Sequence, residues 1–206
     1  MKPEKELDER LMHYLLTMAD AGVRNAARGM SSMLGETLHA SGLSVRLVDI
    51  PDLFALLGGP ENEAVGVYLR AERKLSGQIL LIIPYANSLE VSDLLLSQPA
   101  GTTQALGPIE RSALAELGNL TGSFFLNAIA DLTGLDSRPS PPAVIVDMVG
   151  AIMDILIAAW DGQLGKAPLI LAKFIGLDKA PKADFWVLPD RMTLESIARK
   201  GLLKNV

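Results

Sequence analysis

The chain has 206 residues, 49% of them hydrophobic and 21% charged, and a net charge of −5. That composition excludes a disordered chain, and Lys and Arg scattered over an acidic background weigh against a nucleic-acid partner. With no cysteine there is no disulfide or thiolate metal site, and two histidines, His13 and His39, are too few to build one from imidazole.

The N-terminal stretch MKPEKELDERL is acidic and polar, unlike a signal peptide. A long helical pattern then runs from about Leu7 to Leu34 and stops at Gly35, a residue that accepts left-handed dihedrals cheaply. Met12, Met18, Met30 and Met33 along it read as packing residues rather than a soft-metal site. Strands are expected near Ser44–Asp49, Ala64–Arg70 and Gln78–Ile83, rich in branched apolar residues and bounded by Gly, Pro and Asp. The third leads into Pro84, a turn, and a helix at Leu89-Glu90. Ser97–Pro108, with its Gln, Pro, Gly and Thr, reads as a loop.

A second long helical pattern covers about Ile109–Thr133 and stops at Gly134. Strands follow near Pro142–Asp147, Leu169–Ile175 and Asp184–Leu188, and the last leads into Pro189 and a helix at Leu194-Glu195. The apolar run near Gly150–Trp160 is broken by Asp154 and is too short to span a bilayer, so no membrane insertion is expected and a cytoplasmic location fits. Trp160 and Trp186 read as packing anchors, and His39 as exposed.

The order repeats, and a repeat governs the fold. Gly35 and Gly134 correspond under a shift of 99 positions, with a small insertion placed at Gly162–Lys166. We therefore expect one domain over residues 1–206, made of two related halves at about 7–97 and about 108–203. The fold class is α/β: one mixed, largely antiparallel sheet with the two long helices packed on one face.

The second long helix is the most informative segment. Leu114, Leu117, Thr121, Phe124, Phe125, Ala128 and Leu132 fall on one side of a 3.6-residue period. Ser112, Glu116, Asn119, Ser123 and Asn127 form an opposite stripe roughly 80° wide. Spacing alone reads as an ordinary solvated face, but two details sharpen it. Glu116 has no Lys or Arg three or four residues away, so it is free to take an outside cation. Gly118 and Gly122 lie in the helix interior, each at a cost of about 1 kcal/mol relative to Ala. With Ala115 they form a strip open to close approach, either by a partner backbone or by packing within the protein.

The pattern Ser112-x3-Glu116-x2-Asn119-x22-Pro142 resembles the signature of the CheC, CheX and FliY phosphatases, in which the first position is Asp or Ser. The surrounding segments AELGNLTGSFFLNAIADLTG and SPPAVIVDMVGAIMD, and VRNAARGMSSMLG in the first half, resemble CheC over nearly the whole chain. The resemblance implies a chemotaxis phosphatase that removes the aspartyl phosphate of a CheY-type response regulator. Many CheC-like proteins carry two sites. Here the shifted positions hold His13, Thr17, Asp20 and Leu43, none of which fits, so the first site is expected to be lost.

The resemblance assigns Asn119 to orienting the attacking water and Glu116 to pairing with a partner lysine. An amide can accept from a water and donate at once, but it cannot act as a base. Ser112 is expected to be a docking or helix-start residue, since no base lies near it. Gly118 would support docking, and Pro142 would shape the start of a strand near the site. The chain needs no metal or cofactor of its own, because Mg2+ comes with the phosphorylated partner. CheC-like proteins also bind the deamidase CheD, and by resemblance the docking segment would lie at Asp147–Ala158, through Asp147, Gly150, Ala151 and Asp154. Two other readings stay open: a CheD-binding regulator without catalysis, and a structural flagellar-switch part like the FliM middle domain.

Overall fold

The computed structural model describes residues 9–49, 53, 59–158, 166–177 and 181–203. Trp160, and all but Lys166 of the expected Gly162–Lys166 insertion, lie outside them. The elements run α1 (Glu9–Leu34), β1 (His39–Val48), β2 (Glu63–Arg73), β3 (Gly77–Pro84) and α2 (Tyr85–Leu95), then α3 (Pro108–Thr133) and β4 (Ser137–Pro139). β5 (Ala143–Met148), α4 (Val149–Ala158), β6 (Ala167–Ile175), β7 (Pro181–Pro189) and α5 (Arg191–Leu203) complete the chain.

The strands form one sheet in the order β1-β6-β7-β3-β2-β4, and β5 shares with β4 the outer edge of β2. Every pairing between described strands is antiparallel. The halves exchange strands: β1 pairs with β6, and β5 with β2. β3 and β7 meet at the centre, with Leu80 opposite Trp186.

The central strands bury both faces, which explains the unbroken apolar run Ile79–Ile83. Along β7 the pleat sends Phe185 and Val187 to one side and Trp186 and Leu188 to the other. The first side packs under α1, α3, α2 and α5, where Phe185 meets Phe125 edge-on at 5.3 Å between ring centroids. The second side is covered by α4 through Val149, Ile152, Met153 and Leu156.

Both long helices stop at the expected glycines, which hold positive φ values of 67° at Gly35 and 65° at Gly134. The Gly134 amide closes the last turn of α3 on the Ala130 carbonyl at 2.7 Å. α3 begins after Gly107, with Pro108 in the first turn, where a missing amide hydrogen costs nothing. The methionines of α1 pack as expected, with Met18 and Met30 buried and Met12 and Met33 partly so.

β4 was not expected from the sequence. Ser137-Arg138-Pro139 pairs with Ala71–Arg73, and the edge then breaks at Pro141-Pro142, which have no amide hydrogen to donate. β5 resumes the ladder, Ala143 opposite Tyr68.

Candidate active site on helix α3

α3 lies on β2 and beside α1. Leu114, Leu117, Gly118, Thr121, Gly122, Phe125, Leu126, Ile129 and Thr133 are buried in that contact. The expected apolar side therefore needs correction at its end: Leu132 is 44% exposed, while Leu126 and Ile129 are in the core. Packing against two neighbours at once widens the buried arc beyond a single stripe.

The opposite side is open. Ser112, Glu116 and Asn127 are exposed, and Asn119 and Ser123 are half-buried. Glu116 and Asn119 sit three residues apart, about 4.5 Å along the axis, and point off one side of the rod. Neither makes a hydrogen bond or ion pair with another described residue. The carboxylate and the amide are thus both available to an outside group. Ile109, 67% exposed, stands one turn ahead of Ser112 on the same side. Sequence reasoning passed over it, although the spacing 109, 112, 116 marks it as part of the stripe.

A profile described as the CheC-like family matches residues 109–146, a stretch holding Ser112, Glu116, Asn119 and Pro142. The chain is 27% identical over 196 residues to the CheY-P phosphatase CheC of Bacillus subtilis (strain 168), covering 93% of each chain. Over residues 109–146 the chain is similar to the CheC-like family. It is also 24% identical over 139 residues to the putative CheY-P phosphatase CheC1 of Halobacterium salinarum, covering 68% of this chain and 70% of that one. Among solved structures, Thermotoga maritima FliY superposes with a TM-score of 0.71 at 18% identity, covering 96% of this chain and 98% of that one. CheX from Borrelia burgdorferi, solved with CheY, BeF3 and Mg2+, superposes with a TM-score of 0.60 at 14% identity, covering 85% and 99%.

The interior glycines of α3 do not face outward. A Cβ on Gly118 would overlap Val67 of β2, lying 2.9 Å from its Cβ, so Gly118 lets the helix sit close on the sheet. The expected docking role for Gly118 is corrected accordingly: it positions the helix and is sealed from any partner. Pro142 is half-buried at the start of β5, and its neighbours Val144 and Val146 pack on the helical side.

The shifted positions on α1 are occupied otherwise. His13 and Thr17 are exposed, and the Thr17 hydroxyl donates to the His13 carbonyl at 3.1 Å. Asp20 is held by Arg24 at 2.8 Å, which raises the guanidinium pKa through the hydrogen bond and the charge. Leu43 is half-buried.

On the far face of the sheet α4 turns Asp154 and Ile155 outward, and Asp147 and Met148 at the end of β5 are exposed just before it, with Met148 53% and Ile155 39% exposed. Gly150 packs on Pro60, whose carbonyl accepts the Gly150 amide at 3.0 Å, and Ala151 is half-buried. Among the described residues no group of three or more His, Cys, Asp or Glu could hold a metal ion. No described helix is long and apolar enough to cross a membrane.

Proposed function

We propose that this chain is a phosphatase that hastens loss of the aspartyl phosphate from a CheY-type response regulator. One observation carries the reading: Glu116 and Asn119 stand one turn apart on the open side of α3, with no side-chain partner among the described residues. Two relatives named as CheY-P phosphatases, one of them putatively, support it. So does the fold likeness to a CheX solved with CheY.

A phosphoryl group leaving an aspartate passes through a loose, in-line transition state, so catalysis is mostly positioning and charge stabilisation. Asn119 accepts a hydrogen bond from the attacking water and holds it in line; fixing a nucleophile this way removes several kcal/mol of barrier. Glu116 takes a lysine of the partner and locks the helix beside the acyl phosphate. Ser112 and Ile109 lie one and two turns back and meet the partner's surface. Mg2+ belongs to the partner and supplies charge neutralisation there; one carboxylate at this site is too few ligands to hold it. The two halves descend, in this reading, from one helix–strand unit whose first copy lost its site. A partner such as CheD would find Asp154 and Ile155 on the outward face of α4, with Asp147 and Met148 at the end of β5 just before it.

The test is the decay of phosphate from a labelled regulator with and without the protein. Acceleration that vanishes in Asn119→Ala supports the reading; no acceleration by the wild-type protein refutes it. The fold is shared with FliM middle domains, for example that of H. pylori, with a TM-score of 0.62 at 14% identity. The intact Glu116 and Asn119 pair favours catalysis over a purely structural role.

A further inference from the structure

We propose that Arg28, on the helix of the half without a site, is a recognition residue that takes a carboxylate on the rim of the partner's phosphorylation pocket. This rests on the phosphatase reading above. Arg28 is exposed, and its Nη2 donates to Asn25 Oδ1 at 2.6 Å. The amide of Asn25 in turn donates from Nδ2 to the carbonyl of Phe124 at 2.6 Å. The guanidinium is thereby tied to the seam between α1 and α3.

The direction of the two helices brings Arg28 toward the site. Leu15 and Met18, early in α1, line a cavity with Phe125, Leu126 and Ile129, late in α3. Gly29, later in α1, meets the ring of Phe124. The helices run antiparallel, so the chain beyond Asn25 in α1 lies beside the chain before Phe124 in α3. From Phe124 back to Asn119 is five residues, about 7.5 Å of helix. A specific protein interface covers about 800 Å² per partner, a disc of about 16 Å radius. A protein seated on Glu116 and Asn119 therefore also covers Arg28.

Charge and preorganisation then give the occupant. Among the described residues Arg24, Arg73, Arg138, Arg191 and Arg199 each pair with a carboxylate, whereas Arg28, like Arg46 and Arg111, is held only by neutral groups. Arg28 holds only a neutral amide, which leaves its charge uncompensated and most of its fork free. An aspartyl phosphate pocket binds a divalent cation through carboxylates, so its rim is acidic. A planar guanidinium fixed in advance loses less side-chain entropy when it meets such a group.

The test measures steady-state loss of phosphate from a CheY-type regulator phosphorylated with acetyl phosphate, at two salt concentrations. Arg28→Ala is expected to raise KM about five- to tenfold with kcat unchanged, and to flatten the salt dependence of kcat/KM. Arg28→Lys keeps part of the effect. Arg46→Ala, on edge strand β1, is expected to match wild type, as is the thermal midpoint of Arg28→Ala. A wild-type KM in Arg28→Ala, or a fall in kcat alone, overturns the proposal while Asn119→Ala remains inactive. A wild-type protein with no activity overturns the phosphatase reading itself.

Discussion

Asn25 Nδ2 donates to the Phe124 carbonyl at 2.6 Å, joining two residues 99 positions apart across the seam of the long helices. Gly22 and Gly29 flank this bond on α1 and receive the rings of Phe125 and Phe124, with Phe125 Cε2 only 2.6 Å from where a Gly22 Cβ would stand. The helix bearing Glu116 is thus set in register by α1. Asn25→Ala removes this neutral hydrogen bond without orphaning a helical carbonyl, a loss of about 1 kcal/mol, together with the exposed bond that Asn25 accepts from Arg28. A thermal melt is expected to show a drop of about 2–4 °C.

Gly118 and Gly122 give a paired test of how α3 meets the sheet. At Gly118 an added Cβ meets the stiff, β-branched Val67, so Gly118→Ala is expected to destabilise by about 1–3 kcal/mol. At Gly122 the nearest atom is Leu69 Cδ1 at 3.6 Å, an ordinary contact. Gly122→Ala is therefore expected to stabilise by up to about 1 kcal/mol from helix propensity alone. Chemical denaturation of the two variants should move in opposite directions.

Asp93 anchors the loop that delivers the chain to α3. It is buried at the end of α2; Oδ2 accepts the amides of Gly101 and Thr102 at 2.7 and 3.1 Å, and Oδ1 that of Thr103 at 2.8 Å. The Thr103 side chain and then these amides hold the carboxyl below its usual range, against the opposing effect of burial. A depressed carboxyl pKa contributes stability above the unfolded value of about 3.9 and loses it as pH falls through the folded value. Asp93→Asn is expected to be less stable at pH 7 and to show a shallower loss of stability in acid. Denaturation midpoints across that range check it; curves parallel to wild type would contradict the role.

Much of this architecture was legible because its signals are local and strong. Glycines end both long helices, prolines close β3 and β7, and the apolar runs of the central strands are unbroken. β4 escaped notice because Ser-Arg-Pro has neither β-branched nor aromatic residues, and its pairing with Ala71–Arg73 is purely tertiary. For Gly118 the sequence leaves open a partner or packing within the protein, because a glycine contributes nothing to a hydrophobic pattern; only the position of Val67 reveals its direction. The outward stripe of Ser112, Glu116 and Asn119 followed from 3.6-residue spacing. The Asn25–Phe124 bond did not, since no sequence pattern names a partner for a lone asparagine.

The phosphatase claim rests on Asn119 holding a water in line with the partner's acyl phosphate. The decisive measurement is the rate of phosphate loss from a labelled CheY-type regulator in the presence of wild-type protein, Glu116→Ala or Asn119→Ala, all three shown to be folded. Wild type is expected to accelerate the loss, Glu116→Ala to need far more protein for the same effect, and Asn119→Ala to leave the regulator at its own spontaneous rate. Full acceleration by Asn119→Ala would contradict the mechanism.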